Sequence, residues 1–268
     1  MRVRAPGSSA NLGPGFDVLG LAVSRYVWVS DDGRGRPCGP DHIARIAYEK
    51  AGGHEPIWFD FELEPGRGLG FSAAARAAGA VLARLQQGHD PNEAQHRAYP
   101  VVAGIEGHGD NAAPCVFGGM YVIAGEVHHR IAGSIPGNLL FWVPDLETST
   151  DDSRAELAGK VDRADAVFNL GRMGLLMAAV YEQRLDLLAT ATEDRLHQPQ
   201  RFVSCELAAK AYETAMQAGA AAAWLSGSGP TVAIVSGDDS KPVVVDALAE
   251  SGRVLDLEVD QIGAVLDD

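Results

Sequence analysis

The sequence lacks several features that would place it in common classes of protein. It has 3 cysteines in 268 residues, with no Cys-x-x-Cys pair and no cluster of cysteine with histidine, which argues against a structural zinc site. We expect Cys38, Cys115 and Cys205 to be reduced thiols. No run of about 18 apolar residues is present, so we expect no membrane-spanning helix. The opening residues contain no apolar stretch of the signal-peptide kind, and a cytoplasmic protein is the expectation.

Positive charge is also scarce. Lysine and arginine total 22 against 36 aspartate and glutamate residues, which gives a formal net charge of -14. Such a surface repels polyanions, so neither nucleic acid nor an anionic membrane is an expected partner. A small anion would have to be held locally, by backbone N–H groups, a metal ion and a few arginines.

What the sequence does contain is enough apolar residue, 46%, to bury a substantial core. Strand-like and helix-like segments mix without the regular alternation of a parallel sheet, which predicts an α+β fold in two lobes divided near Gly137. Strands are predicted at 25–30, 57–63, 119–124, 139–143, 231–236 and 254–259. Helices are predicted at 41–51, with Asp41 as the N-terminal cap, and at 72–87, 92–105, 164–182, 205–218 and 241–251.

A glycine-rich segment follows the second predicted strand and opens a helix: Pro65-Gly66-Arg67-Gly68-Leu69-Gly70-Phe71-Ser72-Ala73-Ala74-Ala75. Glycines let a backbone approach a ligand closely, and a helix N-terminus presents unpaired N–H groups to an anion. The segment has neither the Gly-Lys-Ser/Thr of a Walker loop nor the spacing of a dinucleotide fingerprint. Taken alone, it is equally compatible with a plain strand-to-helix turn capped by Ser72.

Other segments are more specific. The run Ala5-Pro6-Gly7-Ser8-Ser9-Ala10-Asn11-Leu12-Gly13-Pro14-Gly15-Phe16-Asp17 closely resembles the first motif of homoserine kinases in the GHMP kinase superfamily, and the glycine-rich segment resembles the second. The further matching segments are Glu106-Gly107-His108-Gly109-Asp110-Asn111, Thr148 to Arg154, Glu193 to Arg201, and Leu225-Ser226-Gly227-Ser228-Gly229-Pro230-Thr231. Because they follow the family's order from residue 5 to residue 231, chance similarity is a poor explanation.

The resemblance implies a two-lobed GHMP kinase fold. Residues 1–137 would form an N-terminal lobe like ribosomal protein S5 domain 2, and residues 138–268 a ferredoxin-like C-terminal lobe. The implied reaction is ATP-dependent phosphorylation of the hydroxyl of L-homoserine, a step of threonine biosynthesis. GHMP kinases are often dimers, so a homodimer is expected.

The resemblance also implies two sets of nucleotide contacts and a magnesium ion. The loop contacts would be Pro65, Gly66, Arg67, Gly68, Leu69, Gly70, Phe71, Ser72, Ala73 and Ala74. The second lobe would add backbone donors from Ser226, Gly227, Ser228 and Gly229. Mg²⁺ prefers hard oxygen ligands, and the positions assigned to it are Ser72 and Glu106.

For the acceptor, the resemblance implies a pocket of Asn11, Asp17, His108, Asn111, Thr150, Arg154 and Arg201. The two arginines suit the carboxylate of an amino acid, because a planar guanidinium matches its geometry. Asp17, Asn111 and Glu106 are the expected catalytic residues. Asp17 is interpreted as an orienting hydrogen-bond acceptor rather than a general base, since the chain's four lysines all lie outside the motifs and supply no Asp–Lys pair.

Two departures from the family pattern keep alternatives open. Phe71 stands where the family usually has serine, and its bulk is expected to lie in the path of the triphosphate. The stretch from Val18 to Pro65 is short, which leaves the adenine contacts unplaced beyond the neighbourhood of residues 41–43. A GHMP kinase for another small alcohol, or a homologue that binds without turnover, would show the same motifs.

Overall fold

A computed structural model describes residues 1–146, 157 and 159–267, and within them two antiparallel sheets carry the fold. The strands are β1 Arg2–Ala10, β2 Leu19–Ser30, β3 Arg36–Pro37, β4 Trp58–Phe61, β5 Met120–Ala124, β6 Val127–Ala132, β7 Asn138–Val143, β8 Ala222–Leu225, β9 Val232–Ser236, β10 Arg253–Leu257 and β11 Val265–Leu266. None of the helices in these residues is long and apolar enough to cross a bilayer.

Helices and strands do not alternate regularly along the chain. The helices are α1 Ile43–Lys50, α2 Phe71–Gln86, α3 Pro91–Glu106, α4 Ala112–Phe117, α5 Arg163–Tyr181, α6 Leu188–Ala191, α7 Gln198–Ser204, α8 Glu206–Gln217 and α9 Lys241–Leu248, with a 3₁₀ turn at Leu185–Leu187. Every strand pair in the described residues is antiparallel, which fits the predicted α+β class.

The first sheet has the order β11-β1-β2-β4-β3, and β5 extends it through β2 to β6. The 12-residue strand β2 makes this branching possible, because it pairs with β4 at one end, Val27 to Ser30, and with β5 at the other, Leu19 to Leu21. Its register with β1 shifts between Pro6 and Gly7, where proline cannot donate to the ladder.

Helix α2 packs against β1 and β2 and is almost wholly buried. Its run of alanines lets neighbouring elements come close. At Gly79 an added Cβ would lie 2.3 Å from the carbonyl oxygen of Ala44 in α1. This close packing fixes the middle of α2 against α1, and its contacts with β1 and β2 hold the helix on the first sheet.

The second sheet has the order β10-β7-β9-β8. Trp142 and Trp224 on its strands are fully buried, and α8 and α9 cover part of it with a smaller apolar cluster. The last strand, β11, returns to pair with β1 in the first sheet. The division into lobes at residue 137 stays a prediction, since the chain passes between the sheets more than once.

Most predicted elements are present within a few residues, and the exceptions have physical causes. Helix α1 is capped by His42, whose side chain accepts from the N–H of Ala44, so the assignment of Asp41 as cap is wrong. The cap of α2 is Gly70 rather than Ser72. Strand β1 was not predicted from its glycine- and serine-rich sequence. The three cysteines are free thiols, as expected.

Candidate active site

A cleft lies where the glycine-rich loop, the segment after α3 and the loop after β8 meet. Its walls combine residues of three predicted motifs: Gly66, Arg67, Gly68, Gly70, Phe71, Ser72, Ala73, Glu106, His108, Asn111, Gly227 and Ser228. The structure therefore brings the phosphate-loop prediction, the Glu106 segment and the last motif into one place.

The glycine-rich loop adopts a backbone that side chains would not permit. Gly66, Gly68 and Gly70 have φ values of 68°, 73° and 69°. A Cβ on Gly70 would lie 2.0 Å from the hydroxyl oxygen of Ser8, and one on Gly68 would lie 2.6 Å from the carbonyl oxygen of Ser226. Since Gly70 caps α2 with no side-chain hydrogen bond, the first N–H groups of α2 remain available to an anion in the cleft.

The glycine-rich loop is hydrogen-bonded to the segment that follows β8. Ser226 donates its hydroxyl to the carbonyl oxygen of Gly68 at 2.6 Å, and a hydrogen bond of 2.8 Å joins the hydroxyls of Ser226 and Ser9. Ser9 also accepts from the indole N–H of the buried Trp224. Strand β1 supports the loop as well, because the N–H of Ser8 donates to the carbonyl oxygen of Leu69.

Phe71, the departure from the family pattern, is the first residue of α2. Its ring lies edge-on to Phe59 and to Phe61 of β4, with ring centroids 5.8 Å apart in both cases. Phe59 in turn packs against the ring of His42 at 4.6 Å. The Phe71 ring is thus held in an aromatic wall at the side of the cleft, next to the segment where adenine contacts were expected.

The first motif turns sharply after β1. Asn11, Leu12 and Asp17 have φ values of 75°, 47° and 58°, a left-handed conformation that non-glycine residues rarely adopt. The buried Asn11 side chain stabilises this turn, because its Oδ1 accepts from the N–H of Asp17 and its Nδ2 donates to the carbonyl oxygen of Gly227, each at 3.0 Å. Asn11 thereby joins the backbone of Asp17 to that of Gly227, in the segment 225–231.

Arg201, on α7, contacts the same carbonyl group as Asn11, that of Gly227. Its Nη1 donates to the carbonyl oxygen of Gly227 at 2.9 Å, and its guanidinium lies 5.3 Å from the centre of the Phe16 ring. The fully buried His197 supports it, since its Nδ1 lies 3.2 Å from Arg201 Nη1 and its Nε2 lies 2.9 Å from the carbonyl oxygen of Gly13. Burial lowers the pKa of His197, which favours the neutral ring.

The segment between α3 and α4 supplies a paired histidine. His108 Nδ1 lies 2.5 Å from the carboxylate of the buried Asp110, which also accepts from the N–H of Asn111 at 2.9 Å. Asn111 Oδ1 accepts from the hydroxyl of Ser8 at 2.7 Å. His108 and Asn111 both line the cleft, and their orientations are set by Asp110 and Ser8, neither of which had been assigned a role from the sequence.

Glu106, the last residue of α3, also faces the cleft, and Arg76 of α2 forms an ion pair with it. Arg76 was missed by sequence reasoning, although its position four residues after Ser72 places the two side chains on one face of the helix. The hydroxyl of Ser72 and the carboxylate of Glu106 are hard oxygen donors that suit Mg²⁺. No group of three or more His, Cys, Asp or Glu side chains suited to a metal occurs in the described residues.

The remaining predicted residues divide into two groups. Thr150 and Arg154 lie outside the described residues. The cleft lining does not include Pro65, Leu69 or Ala74, which belong to the loop and the first turn of α2. It does not include Gly229 either, whose carbonyl group packs against Gly68.

Comparison with known proteins gives consistent results for the whole chain. Residues 39–119 match the model for the GHMP kinases N terminal domain, and residues 176–254 match that for GHMP kinases C terminal. The chain is 35% identical to a homoserine kinase of Desulfitobacterium hafniense over 99% of both chains. It is 36% identical to a homoserine kinase of Thermus thermophilus over 96% of both.

Solved structures agree. A homoserine kinase from Cytophaga hutchinsonii superposes with a TM-score of 0.82 at 25% identity, covering 99% of this chain and 96% of that one. L. major mevalonate kinase, at 15% identity, shares the fold with a TM-score of 0.70 over 98% of this chain and 97% of that one. The fold is thus that of a GHMP kinase, as predicted. At these identities and coverages, the chain belongs to the homoserine kinase family.

Proposed function

We propose that this protein transfers the terminal phosphate of ATP to the hydroxyl of L-homoserine, giving O-phospho-L-homoserine. Its family membership makes it a kinase, and the near-complete coverage of homoserine kinases supports the acceptor. The observation that carries the proposal is the meeting of Asn11 and Arg201 on one carbonyl, that of Gly227, beside the phosphate cleft. The proposed positions of the acceptor and the nucleotide would then both adjoin Gly227, which lines the cleft.

The nucleotide phosphates would lie at the N-terminus of α2. Backbone N–H groups there carry a partial positive charge, and the glycines allow the loop to wrap an anion without side-chain obstruction. The aromatic wall of Phe59, Phe61 and Phe71, together with His42, would adjoin the adenine base. Ser72 and Glu106 would hold Mg²⁺, which neutralises phosphate charge when bound.

The acceptor would lie between the first motif and α7. Arg201, nearly buried and fixed by Gly227 and His197, would grip the carboxylate of the amino acid, with Arg154 and Thr150 as further proposed contacts. His108 and Asn111 would line the side nearer the phosphates. A zwitterionic amino acid would suit this pocket. Its carboxylate needs a cation, which Arg201 would supply, and its ammonium group needs hydrogen-bond acceptors.

Asp17 would orient the acceptor hydroxyl toward the phosphate. Its backbone is fixed in the left-handed conformation by Asn11, which restricts where its carboxylate can point. Phosphoryl transfer needs in-line positioning and charge neutralisation more than covalent participation by the protein. We therefore propose that the hydroxyl proton leaves with assistance from the phosphate itself, and that Asp17, Asn111 and Glu106 contribute position and charge.

A coupled assay of ADP release with Mg–ATP tests this proposal directly. Initial rates would be compared for L-homoserine, D-homoserine, L-serine, L-threonine and mevalonate. We expect the highest kcat/KM for L-homoserine, with phosphorylated product identified by mass spectrometry. Transfer only to another alcohol would select a different substrate, and ligand binding by calorimetry without ADP release would identify a homologue without turnover.

Three further properties are part of the proposal. We propose that residues 1–137 and 138–268 act as the two kinase lobes, that the protein works in the cytoplasm on small molecules alone, and that it forms a homodimer. Analytical ultracentrifugation at micromolar concentrations checks the last point, and a sedimentation coefficient of the 28.2 kDa monomer would contradict it.

A further inference from the structure

Arg76 is a charged residue in an alanine-rich stretch of α2, and it lies beside the proposed metal position. Its neighbours Ala73, Ala74, Ala75, Ala77 and Ala78 are all buried. The Arg76 side chain is only 18% exposed, and its Nε is buried with no hydrogen-bond partner among the residues that the structure describes. Its Nη1 makes the ion pair with Glu106. Retaining a cation here has an energetic cost that a surface arginine would not have.

Glu106 is itself in an unfavourable position for a carboxylate. It is the last residue of the 16-residue helix α3, where the helix dipole disfavours negative charge, and its side chain is 11% exposed. Arg76 offsets this charge. The carboxylate that faces the cleft is therefore already neutralised by a fixed cation before any ligand enters.

We propose that Arg76 is a positioning residue that competes with the divalent cation for the Glu106 carboxylate. In the nucleotide-free protein the guanidinium holds Glu106 and lowers its attraction for a metal ion. With a metal–nucleotide complex bound, the Glu106 carboxylate would have to contact both Arg76 and the metal ion. The site then takes up the metal together with a nucleotide rather than alone, because phosphate oxygens supply the missing negative charge.

This inference rests on the proposed function only in taking the cleft as a nucleotide site. The probe is Mn²⁺, whose free and bound forms are distinguished by electron paramagnetic resonance, titrated with and without ADP. No turnover is involved. If the protein does not phosphorylate homoserine, Mn²⁺ and ADP can still bind in the cleft. The proposed activity and the proposed role of Arg76 can therefore be refuted independently.

The variants are Arg76→Met, which keeps the volume and removes the charge, and Arg76→Gln, which keeps a polar donor. In both we expect the apparent Kd for Mn²⁺ in the presence of ADP to fall about fivefold to twentyfold, since a charge-assisted contact to Glu106 is lost. We expect binding of Mn²⁺ without ADP to become measurable. The Kd for ADP without metal should stay within about twofold.

Two controls make the result specific. Arg84→Met removes an arginine from the same helix, where it contacts Gln87 outside the cleft lining, and should leave Mn²⁺ binding unchanged. Combining Arg76→Met with Glu106→Gln should give the same Mn²⁺ affinity as Glu106→Gln alone, because the competition acts through that carboxylate.

An unchanged or weakened Mn²⁺ affinity in the folded variants would overturn the proposal and leave Arg76 a purely structural residue. A loss of more than about tenfold in metal-free ADP binding would overturn it in another way, by showing that Arg76 contacts the phosphates directly. If Arg76→Met does not fold, Arg76→Gln decides by the same criteria.

Discussion

The side-chain amide of Asn11 donates to the carbonyl oxygen of Gly227, joining the end of β1 to the loop after β8 across 216 positions of the sequence. Gly227 lies in the loop after β8, and Asn11 opens the turn that carries Asp17. This hydrogen bond helps to fix the turn after β1 relative to the loop after β8, which lines the cleft. Such positioning is what phosphoryl transfer requires of a protein.

Arg201→Lys should raise the KM for L-homoserine by about tenfold or more while kcat changes less and the KM for ATP stays the same. Lysine keeps the charge but loses the planar fork that can contact Gly227 and a carboxylate together. Steady-state kinetics with each substrate varied will measure this. Arg195→Lys, on an exposed arginine paired with Asp165, is the matched control and should be neutral. An unchanged KM for homoserine in Arg201→Lys would rule out the carboxylate contact.

Gly70→Ala should weaken ADP binding by more than about tenfold and lower the free energy of unfolding by about 2 kcal/mol. The residue has a φ of 69°, and the new Cβ would collide with the hydroxyl of Ser8. Calorimetry and urea unfolding will measure the two effects.

Gly104→Ala provides the contrast for that loop variant. Gly104 lies inside α3 with open space around a Cβ, so alanine should stabilise the protein by up to about 1 kcal/mol and leave ADP binding unchanged. Equal effects of the two alanines on ADP binding would show that the loop backbone does not determine nucleotide affinity.

Phe71→Ser should lower the free energy of unfolding by about 1–2 kcal/mol, since two edge-on aromatic contacts are lost. We expect kcat to change by less than about fivefold, because the ring is held in the aromatic wall and its backbone N–H is retained. Phe61→Ser removes one of the same contacts from a residue that does not line the cleft, so a change in kcat that both variants share comes from the aromatic wall rather than from the path of the phosphates. A large gain of activity in Phe71→Ser alone would mean that the phenylalanine obstructs the phosphates.

Stability should fall as the pH is lowered from 7.5 to 5.5. Burial lowers the pKa of His197 in the folded protein, so the unfolded chain binds the proton more readily below a pH of about 6.5. Stability that is present above that pH is lost as the pH falls, because the unfolded chain takes up a proton that the buried His197 ring resists. Urea unfolding at both pH values measures the loss.

His197→Gln should reduce that pH dependence without abolishing it, because burial also lowers the pKa values of His42 and His128. His54→Gln, at an exposed position, should leave the dependence as in the unchanged protein. A stability that is the same at pH 7.5 and pH 5.5 would contradict the assignment.

The sequence determined the class of this protein, because ordered motifs carry their meaning in residue type and spacing. Glycines at 66, 68 and 70 must be glycine for the loop to close, and Asn11 tolerates the left-handed conformation that its turn needs. Local pattern also predicted the positions of six helices and six strands, but it did not predict β1, β3, β6, β8, β11, α4, α6 or α7. The strand character of β1 comes from pairing with β2 and β11 rather than from its composition.

Only the tertiary structure decided which side chains meet. The ion pair of Arg76 with Glu106 joins α2 to α3, and the spacing that places Arg76 on the same face of α2 as Ser72 does not indicate its partner on α3. The direction of the Phe71 ring depends on Phe59 and Phe61, which lie on a strand ten or more residues earlier. Local sequence specifies backbone conformation through short-range sterics, whereas contacts between distant segments arise only from the packing of the whole chain.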